Sequence, residues 1–281
     1  MDKNDLTVLV TGASRGIGMY LAHEFAAGGH PLLLVAPDQT ELQAVADQLG
    51  KDYGADVEIV GCDLEQAEGF ARLERVLAGR DVDILVNNAG QGFLGRFAEV
   101  ALERHLATVR LNIEAVLRLS ARLLPGMIAR DRGGLLNVAS ITSFEPGPRF
   151  AVYHATKAFI LSWSESLATE LADTGLSVTA LCPGPTDTDF FVKAGMENTR
   201  AFQQSNLMAP QEVAKIGYEA FSKGERVAIA GSVNKLMVAS SHLLPEQLLA
   251  AKNQMMYQDA PPELRTRHRG DREFGQGGAT H

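Results

Sequence analysis

The stretch LTVLVTGASRGIG, residues 6–18, places an apolar run directly before a glycine-rich turn and the start of a helical pattern. A strand that passes through glycines into a helix is the context of a dinucleotide-binding βα turn. Gly12 would form the sharp turn, Gly16 would let the backbone approach a pyrophosphate, and Gly18 would let helix and strand pack closely. The helix N-terminus would offer its amides and dipole to the phosphates. The spacing is Gly-x-x-x-Gly-x-Gly, and glycines alone are a weak signal.

Short β-rich runs alternate with longer helical stretches over most of the chain. The predicted strands cover residues 6–10, 31–36, 57–61, 84–86, 134–138, 177–181 and 226–230. The predicted helices cover residues 16–27, 39–50, 66–78, 102–129, 151–172 and 211–223. Strict alternation implies right-handed βαβ crossovers and a parallel sheet with helices on both faces. The sequence therefore predicts a doubly wound, Rossmann-type α/β fold with seven parallel strands in a single domain, residues 1–264.

Three segments depart from this alternation. Residues 184–209 are long and without a clear period, and such segments inside compact domains are usually lids or binding loops, so we expect a substrate lid there. Residues 243–256 are apolar enough for a helix that packs at the rim of the site or against another subunit. Residues 265–281 combine a charged run with a glycine-rich end and are predicted to be a disordered tail.

Composition argues against several classes of protein. The chain has 281 residues, 46% of them hydrophobic, which is ample for a buried core. Its net charge of -8 argues against a nucleic-acid or anionic-membrane partner, because such surfaces need excess Lys and Arg. No run of eighteen apolar residues occurs, so we expect a cytoplasmic protein without a membrane span. Cys62 and Cys182 lie far apart after short apolar runs, which predicts reduced core thiols and no metal site.

Tyr153 and Lys157 are four residues apart in a predicted helix, so their side chains would lie one turn apart on the same face. A neighbouring cation favours phenolate over phenol. A general acid/base near neutral pH needs the tyrosine pKa lowered by roughly two to three units, or about 3 to 4 kcal/mol. Ser140, thirteen positions upstream of Tyr153, is a candidate to hold a substrate oxygen. Taken alone, the Tyr/Lys spacing is far more often an ordinary surface pair.

Six elements in a fixed order strengthen the catalytic interpretation. They are Thr11-Gly12 with Gly16 and Gly18, Asn87-Asn88-Ala89-Gly90, Asn112, Ser140, Tyr153 with Lys157, and Pro183-Gly184. In order and separation they resemble the short-chain dehydrogenase/reductase family over about residues 6–230. This resemblance implies a nicotinamide-dependent oxidoreductase that interconverts a carbonyl and an alcohol.

The resemblance also implies catalytic roles for four residues. Tyr153 would be the general acid that protonates a carbonyl oxygen as hydride arrives, or the base in the oxidative direction. Lys157 would lower the pKa of Tyr153 and hold the ribose hydroxyls of the nicotinamide half. Ser140 would orient and polarise the carbonyl. Asn112 would complete a proton relay through a water to solvent.

A further set of residues is assigned to the cofactor by the same resemblance. Asp63 is similar to the family's adenine-contacting aspartate, residues 88–90 would line the adenosine ribose, and Thr188 would meet the nicotinamide carboxamide. Asn87 would instead tie strands together at the centre of the sheet. The implied cofactor-binding residues are Gly12, Ser14, Arg15, Gly16, Ile17, Gly18, Asp63, Leu64, Asn88, Ala89, Gly90, Tyr153, Lys157, Pro183, Gly184 and Thr188.

The choice between NADP(H) and NAD(H) depends on three residues. A generic Rossmann pattern has an acid about twenty residues after the glycines that binds the ribose 2′-hydroxyl, and Asp38 is near that place. In register with the family, the discriminating position is Pro37, which is neither acid nor base. Arg15 is similar to the basic residue that holds the 2′-phosphate in members preferring NADP(H). The sequence favours NADP(H), leaves NAD(H) possible, and has Asp38 as an objection.

The residues around the catalytic group limit the chemical class of the substrate. Ile141, Thr142, Phe144 and Phe150 beside Ser140, and Pro185, Phe190, Phe191 and Met196 in the lid, are mostly apolar. They favour a hydrophobic ketone or secondary alcohol, or they simply pack the lid on the body. His154 and Thr156 lie off the face of Tyr153 and Lys157, so we expect no effect on the chemistry and a structural role for His154.

Two alternative functions use the same fold. A nucleotide-sensing protein needs no acid/base set, so the intact Ser140, Tyr153, Lys157 and Asn112 argue against that alternative. An interaction protein that assembles through its long helices is compatible with catalysis, and light scattering that shows only monomer would count against it. The resemblance implies that helices 102–129 and 151–172 pair across a two-fold axis, in a homodimer or homotetramer. The expected partner at the site is a small carbonyl or alcohol molecule.

Overall fold

The computed structural model describes residues 6–241 and 243–274. Seven strands form one sheet in the order β3-β2-β1-β4-β5-β6-β7, and all pairs are parallel. This confirms the predicted doubly wound α/β fold. The strands are β1 Val8–Thr11, β2 Leu32–Ala36, β3 Val57–Gly61, β4 Ile84–Asn87, β5 Gly133–Val138, β6 Leu176–Cys182 and β7 Val227–Ile229.

Eleven α-helices in the described residues connect and flank the strands. Four of them, Gly16–Ala27, Gln39–Tyr53, Ala151–Glu170 and Pro210–Ser222, lie close to predicted helices. The eleven helices are α1 Gly16–Ala27, α2 Gln39–Tyr53, α3 Ala67–Val76, α4 Leu102–Val109, α5 Ala115–Arg130, α6 Ala151–Glu170, α7 Phe190–Lys193, α8 Arg200–Gln203, α9 Pro210–Ser222, α10 Ser232–Ser241 and α11 Glu246–Met256.

The central strands are buried on both faces, which explains their continuous apolar sequences. All five side chains of β2 are buried. On one face, Leu21 and Phe25 of α1 share a buried cluster with Val213 of α9. On the other face, Phe70 of α3 shares a second cluster with Leu119 of α5. Because the sheet is enclosed in this way, the crevice at its carboxyl edge is the natural place for a site.

The helix predicted over residues 102–129 is interrupted. α4 ends at Val109, a π-helical turn follows over Arg110–Glu114, and α5 continues from Ala115. A π turn holds one residue more than an α turn, and such turns are frequent at functional sites. The prediction of one regular helix was wrong here, because a single extra residue barely changes the apolar periodicity of so long a stretch. The π turn contains Asn112.

The lid and the segment after it carry more regular structure than predicted. Two short helices, α7 and α8, lie within residues 184–209, and a parallel bridge between Thr186 and Met208 joins the two ends of the lid. The helix expected over residues 243–256 begins at Glu246.

The C-terminal strap, residues 265–274, lies against the body, in contrast to the predicted disorder. The Arg267 amide donates to Gln203 Oε1 at 2.9 Å, and Arg269 pairs with Asp187, whose carboxylate also accepts from two backbone amides of the strap. A charged run is usually solvated, but here the Arg269 guanidinium pairs with two carboxylates of the lid, Asp187 and Asp189. The rest of the predicted tail, residues 275–281, lies outside the described residues.

Three further observations limit the kind of site the fold can hold. Cys62 and Cys182 are both buried and free, as predicted. Over residues 6–241 and 243–274, no helix is both long and apolar enough to cross a membrane. In the same part of the chain, no cluster of His, Cys, Asp and Glu side chains could hold a metal ion.

Candidate active site

A cavity of about 630 Å³ lies at the carboxyl ends of the strands, where the strand order reverses. It extends from the glycine-rich turn after β1 to the start of α6 and the lid. Of the site residues assigned from the sequence, all but Gly18 and Asn112 line it. Those that line it are Gly12, Ser14, Arg15, Gly16, Ile17, Asp63, Leu64, Asn88, Ala89, Gly90, Ser140, Tyr153, Lys157, Pro183, Gly184 and Thr188.

Asn88, immediately after β4, fixes the glycine-rich turn. Its side-chain amide donates to the carbonyl oxygens of Thr11 and Gly12 at 2.9 and 3.2 Å. Gly12 has a φ of 64°, a conformation that favours glycine. A Cβ at Gly12 or at Gly18 would collide with the Asn88 amide. Gly18 therefore allows the close packing of helix and strand that was predicted for it, although it does not itself line the cavity.

Gly16 lies under the lid at the start of α1. Its φ is 58°, and a Cβ there would lie 3.1 Å from the Thr188 methyl carbon. The free amides and the positive end of α1 are therefore next to the cavity. Asn87 is buried in the sheet and donates to Asn137 Oδ1 at 2.8 Å, which is the strand-tying contact predicted for it.

These features fit a dinucleotide. The helix N-terminus offers unpaired amide donors for a pyrophosphate. At Gly90, which lines the cavity, a Cβ would lie 3.3 Å from Asn112 Oδ1 and 3.4 Å from Lys157 Nζ, so an added side chain would crowd the Asn112 amide. Asp63 caps its own loop by accepting from the Glu65 amide at 2.9 Å.

Ser140, Tyr153 and Lys157 meet at the other end of the cavity. Tyr153 lies in the first turn of α6, where the Phe150 ring stacks on it with centroids 4.6 Å apart. Its phenol has a hydrogen bond with the Ser140 side chain. Lys157 is buried one turn later; its Nζ donates to the Val138 carbonyl at 2.7 Å and lies 5.7 Å from the centre of the Tyr153 ring. The sequence spacing thus corresponds to a real cluster.

The predicted lowering of the Tyr153 pKa is not found. Burial raises the pKa of the Tyr153 phenol far above its usual range, and the hydrogen bond with Ser140 lowers it by less. Burial also lowers the pKa of the Lys157 ammonium to about 8, against a smaller opposing effect of Cys182. The prediction was wrong because it counted the neighbouring charge and left out desolvation, which is the larger effect here. At pH 7 the phenol is protonated and most of the lysine is charged.

Asn112 is held entirely by protein groups. Its Oδ1 accepts from the Gln91 amide at 2.9 Å, and its Nδ2 donates to the Gln91 carbonyl at 2.9 Å and to Thr156 Oγ1 at 3.0 Å. Thr156 in turn donates to the Tyr153 carbonyl at 2.8 Å. Thr156 therefore links the π turn to the helical turn that carries Tyr153, although no role was expected for it. The proton relay implied for Asn112 stays a prediction.

His154 has the buried, structural position expected for it. Its Nδ1 lies 2.7 Å from the Glu145 carbonyl and its Nε2 lies 2.6 Å from the Tyr257 hydroxyl. Burial lowers the pKa of the imidazole, so the ring is neutral near pH 7. The Glu145 carboxylate accepts from Lys252 and Asn253, each at 2.8 Å. α11 is therefore fastened to the segment that leads into the turn of Tyr153, at the rim of the cavity.

Arg15 immediately precedes α1 and pairs with two carboxylates. Its guanidinium donates to Glu41 of α2 and to Asp189 of the lid. Asp38 caps α2 by accepting from two backbone amides of its first turn at 2.9 and 3.0 Å. Pro37 lines the cavity at the end of β2. The acid that a generic Rossmann pattern would place on the ribose thus has a structural task in this chain.

Several residues that hold the site were not predicted. One had a local signal: Asp38 followed by Glu41 has the spacing of a capping box, which would have placed Glu41 in the first turn of α2. The others join segments far apart in sequence, which no local pattern reveals. The missed residues are Glu41, Gln91, Thr156, Asp189 and Tyr257.

The fold and the site together define a Rossmann-type α/β protein with a Ser-Tyr-Lys set at one end of a nucleotide cleft. The family model described as short chain dehydrogenase matches residues 6–199. The chain therefore belongs to the short-chain dehydrogenase family, as its motifs predicted.

Known proteins similar to this chain include both reductases and dehydrogenases. A very-long-chain 3-oxoacyl-CoA reductase of Phaeosphaeria nodorum is 36% identical over 176 residues, which cover 60% of this chain and 52% of that protein. The chain thus matches about half the length of this curated relative.

Two solved structures cover more of the chain. A short-chain dehydrogenase from Sphingobium yanoikuyae in complex with NADPH has a TM-score of 0.76 and 33% identity, covering 85% of this chain and 94% of the other. The bulky-bulky ketone specific alcohol dehydrogenase from Comamonas testosteroni has a TM-score of 0.72 and 30% identity, covering 86% and 94%.

Proposed function

We propose that the protein is a nicotinamide-dependent oxidoreductase that interconverts a carbonyl and a secondary alcohol. One observation carries this proposal: Ser140, Tyr153 and Lys157 converge on the same cavity that begins at the glycine-rich turn. A protein that only senses a nucleotide has no use for a buried phenol and lysine at the far end of the nucleotide cleft. Membership of the short-chain dehydrogenase family supports the same reaction class.

The roles of the three side chains follow from their protonation states. Burial keeps the Tyr153 phenol protonated at neutral pH, so in the reductive direction it is ready to give its proton to a carbonyl oxygen. Ser140 would donate a hydrogen bond to the same oxygen. Lys157, charged below a pH of about 8, would stabilise negative charge on the phenol oxygen as the proton leaves. A nicotinamide dinucleotide, when bound, supplies or accepts the hydride.

NADP(H) is the preferred cofactor in this proposal. Arg15 lies at the glycine-rich turn and Asp38 is committed to capping α2, which removes the main objection to a 2′-phosphate. The related Sphingobium protein was solved with NADPH. Glu41 and Asp189 already pair with Arg15, so a 2′-phosphate must compete with carboxylates for this guanidinium. We therefore expect NADPH to be preferred over NADH, as the ratio of kcat/KM measured in one assay.

A hydrophobic ketone or secondary alcohol is the proposed substrate. The lid half of the cavity is lined by apolar side chains, many of them also packed in a cluster that joins the lid to α6. The same apolar side chains therefore line the cavity and pack the lid on the body. The names of the relatives, an oxoacyl-CoA reductase and an alcohol dehydrogenase for bulky ketones, support this class. The lining residues are Phe93, Phe150, Phe190, Phe191, Met196, Met256 and Tyr257.

A screen of apolar ketones, with NADPH oxidation as the readout, tests the proposal. We expect turnover of at least one ketone. Tyr153→Phe should then lose about a thousandfold or more in kcat, because no acid remains to protonate the product oxygen, while fluorescence titration still shows NADPH binding. Tyr218→Phe, which removes a phenol oxygen packed against α1, is the matched control and should keep full turnover. Undiminished turnover in Tyr153→Phe would remove that residue from its role. NADPH binding without any turnover would favour the sensing alternative.

A homodimer or homotetramer is also proposed. Exposed apolar side chains lie on α4, α5 and α6, the helices expected to pair across a two-fold axis. Light scattering that shows only monomer would contradict this assembly. These side chains are Leu102, Leu106, Val109, Leu117 and Phe159.

A further inference from the structure

Tyr257 and His154 form a polar pair in the wall of the cavity, next to the proposed acid. Tyr257 follows the last residue of α11, and both members of the pair line the cavity. The Tyr257 ring contacts Phe150 edge-on with centroids 5.5 Å apart, and Phe150 stacks on Tyr153. Tyr257 is therefore separated from the reacting phenol by one aromatic ring, and the His154 ring contacts the Tyr153 ring edge-on with centroids 6.4 Å apart.

The direction of the hydrogen bonds in this pair follows from the acceptor at one end. The Glu145 carbonyl can only accept, so His154 Nδ1 carries a hydrogen and donates to it across 2.7 Å. In a neutral imidazole the other nitrogen, Nε2, then has a lone pair. The Tyr257 hydroxyl, 2.6 Å from Nε2, must therefore donate to it. The imidazole ring is hindered from flipping, because it packs so closely on Gly147 that a Cβ there would collide with it.

This arrangement leaves the Tyr257 oxygen with lone pairs and no hydrogen to offer a ligand. The titratable groups facing His154 are the Glu145 carboxylate, the Lys252 ammonium and the phenols of Tyr257 and Tyr153, and Lys252 is paired with Glu145. A charged imidazole would reverse the bond to Tyr257, but burial lowers the pKa of His154 and keeps the ring neutral. In the neutral site, Tyr257 is a fixed hydrogen-bond acceptor beside the apolar side chains of Phe150 and Met256. The polar side chains next to it on the wall, Glu145, Lys252 and Asn253, are paired with one another.

We propose that Tyr257 is a specificity-determining residue, which accepts a hydrogen bond from a hydroxyl group carried by the substrate away from its carbonyl. The substrate class is then a hydroxylated, otherwise apolar ketone, or the diol formed by its reduction. His154 is the positioning residue that fixes the orientation of the phenol. This inference rests on the proposed carbonyl/alcohol activity and narrows its substrate.

The test compares three sets of probes: decan-2-one, its monohydroxy derivatives along the chain, and their methyl ethers. For at least one position, we expect the wild-type kcat/KM to be about threefold to tenfold higher for the hydroxy ketone than for decan-2-one. The methyl ethers should gain nothing, because they cannot donate. In Tyr257→Phe the ratio of hydroxy ketone to decan-2-one should fall to about one. In Tyr218→Phe, the matched control outside the cavity, it should stay at the wild-type value.

Two outcomes would overturn the inference. One is a wild-type protein that prefers no hydroxy ketone, or that prefers the ethers equally. The other is a Tyr257→Phe variant that loses the same factor with both kinds of ketone, which is what a purely structural role in fastening α11 predicts.

Titration calorimetry with the same probes separates this inference from the proposed function. If no ketone is turned over, the proposed reaction fails, but the ratio of the Kd values in wild type and Tyr257→Phe still decides the role of Tyr257. A hydroxyl preference in Kd that Tyr257→Phe abolishes supports the inference, and equal Kd values for all probes refute it.

Discussion

Replacing Lys157 by Met tests whether a charged lysine is buried beside the proposed acid. Burial lowers the pKa of Lys157 from 10.5 to about 8. At pH 7 that difference corresponds to a penalty of about 3 kcal/mol in the free energy of unfolding of the wild type. Removing the ammonium costs the variant about 2 kcal/mol, because the buried Val138 carbonyl loses this donor. Methionine is unbranched and similar in length, so it fills the same space without the charge. We expect Lys157→Met to be inactive but about 1 kcal/mol more stable than the wild type at pH 7.

The pH dependence of this difference is the sharper measurement. The folded protein holds the lysine at a lower pKa than the unfolded chain does, so the penalty is full below a pH of about 8 and disappears as the pH rises toward 10.5. The wild type should therefore gain about 2 to 3 kcal/mol relative to the variant between pH 7 and pH 10. Urea unfolding followed by the fluorescence of Trp163, the single tryptophan, measures it.

Lys223→Met, at an exposed lysine, is the control and should show no such change relative to the wild type. A stability difference between wild type and Lys157→Met that stays constant from pH 7 to pH 10 would refute the reasoning, because it would mean that Lys157 is not a desolvated cation.

Three more predictions concern the walls of the site. Arg15→Gln should lower kcat/KM for NADPH by about tenfold and change NADH much less, measured side by side, since only NADPH offers a phosphate to this side chain; equal losses with both cofactors would contradict it. Arg269→Gln removes the strap cation from buried Asp187 and should cost about 2 to 3 kcal/mol in thermal unfolding, whereas an unchanged Tm would show that the strap does not stabilise the lid. Gly147→Ala should cost about 1 to 3 kcal/mol because its Cβ would collide with a buried imidazole, while Gly50→Ala, in open space on α2, should be neutral or slightly stabilising.

The features that could be predicted are those with a local signal in the sequence. Alternation of apolar runs and helical periods specified the sheet, because each strand buried on both faces must be apolar throughout. The glycines at positions 12, 16 and 18 were predictable because their backbone conformation or close packing excludes a side chain. Tyr153 and Lys157 were predictable because four residues make one helical turn.

The remainder of the site depends on contacts between distant segments and on desolvation. Asp189 is 174 residues from Arg15 and Tyr257 is 103 residues from His154, and neither pair has a pattern that links them in the sequence. The wrong direction for the Tyr153 pKa has the same origin. A spacing of four residues reports a neighbouring charge, but it does not report how much water the surrounding protein removes.

The π turn at Arg110–Glu114 makes chain length itself important at this point. Removing one residue from that turn would leave an ordinary α turn, and α4 and α5 could keep their present positions in one regular rod. That shorter chain would lose the outward step in the backbone that brings Asn112 to Gln91 and Thr156. The number of residues between α4 and α5 therefore decides whether Asn112 lies against Gln91 and Thr156.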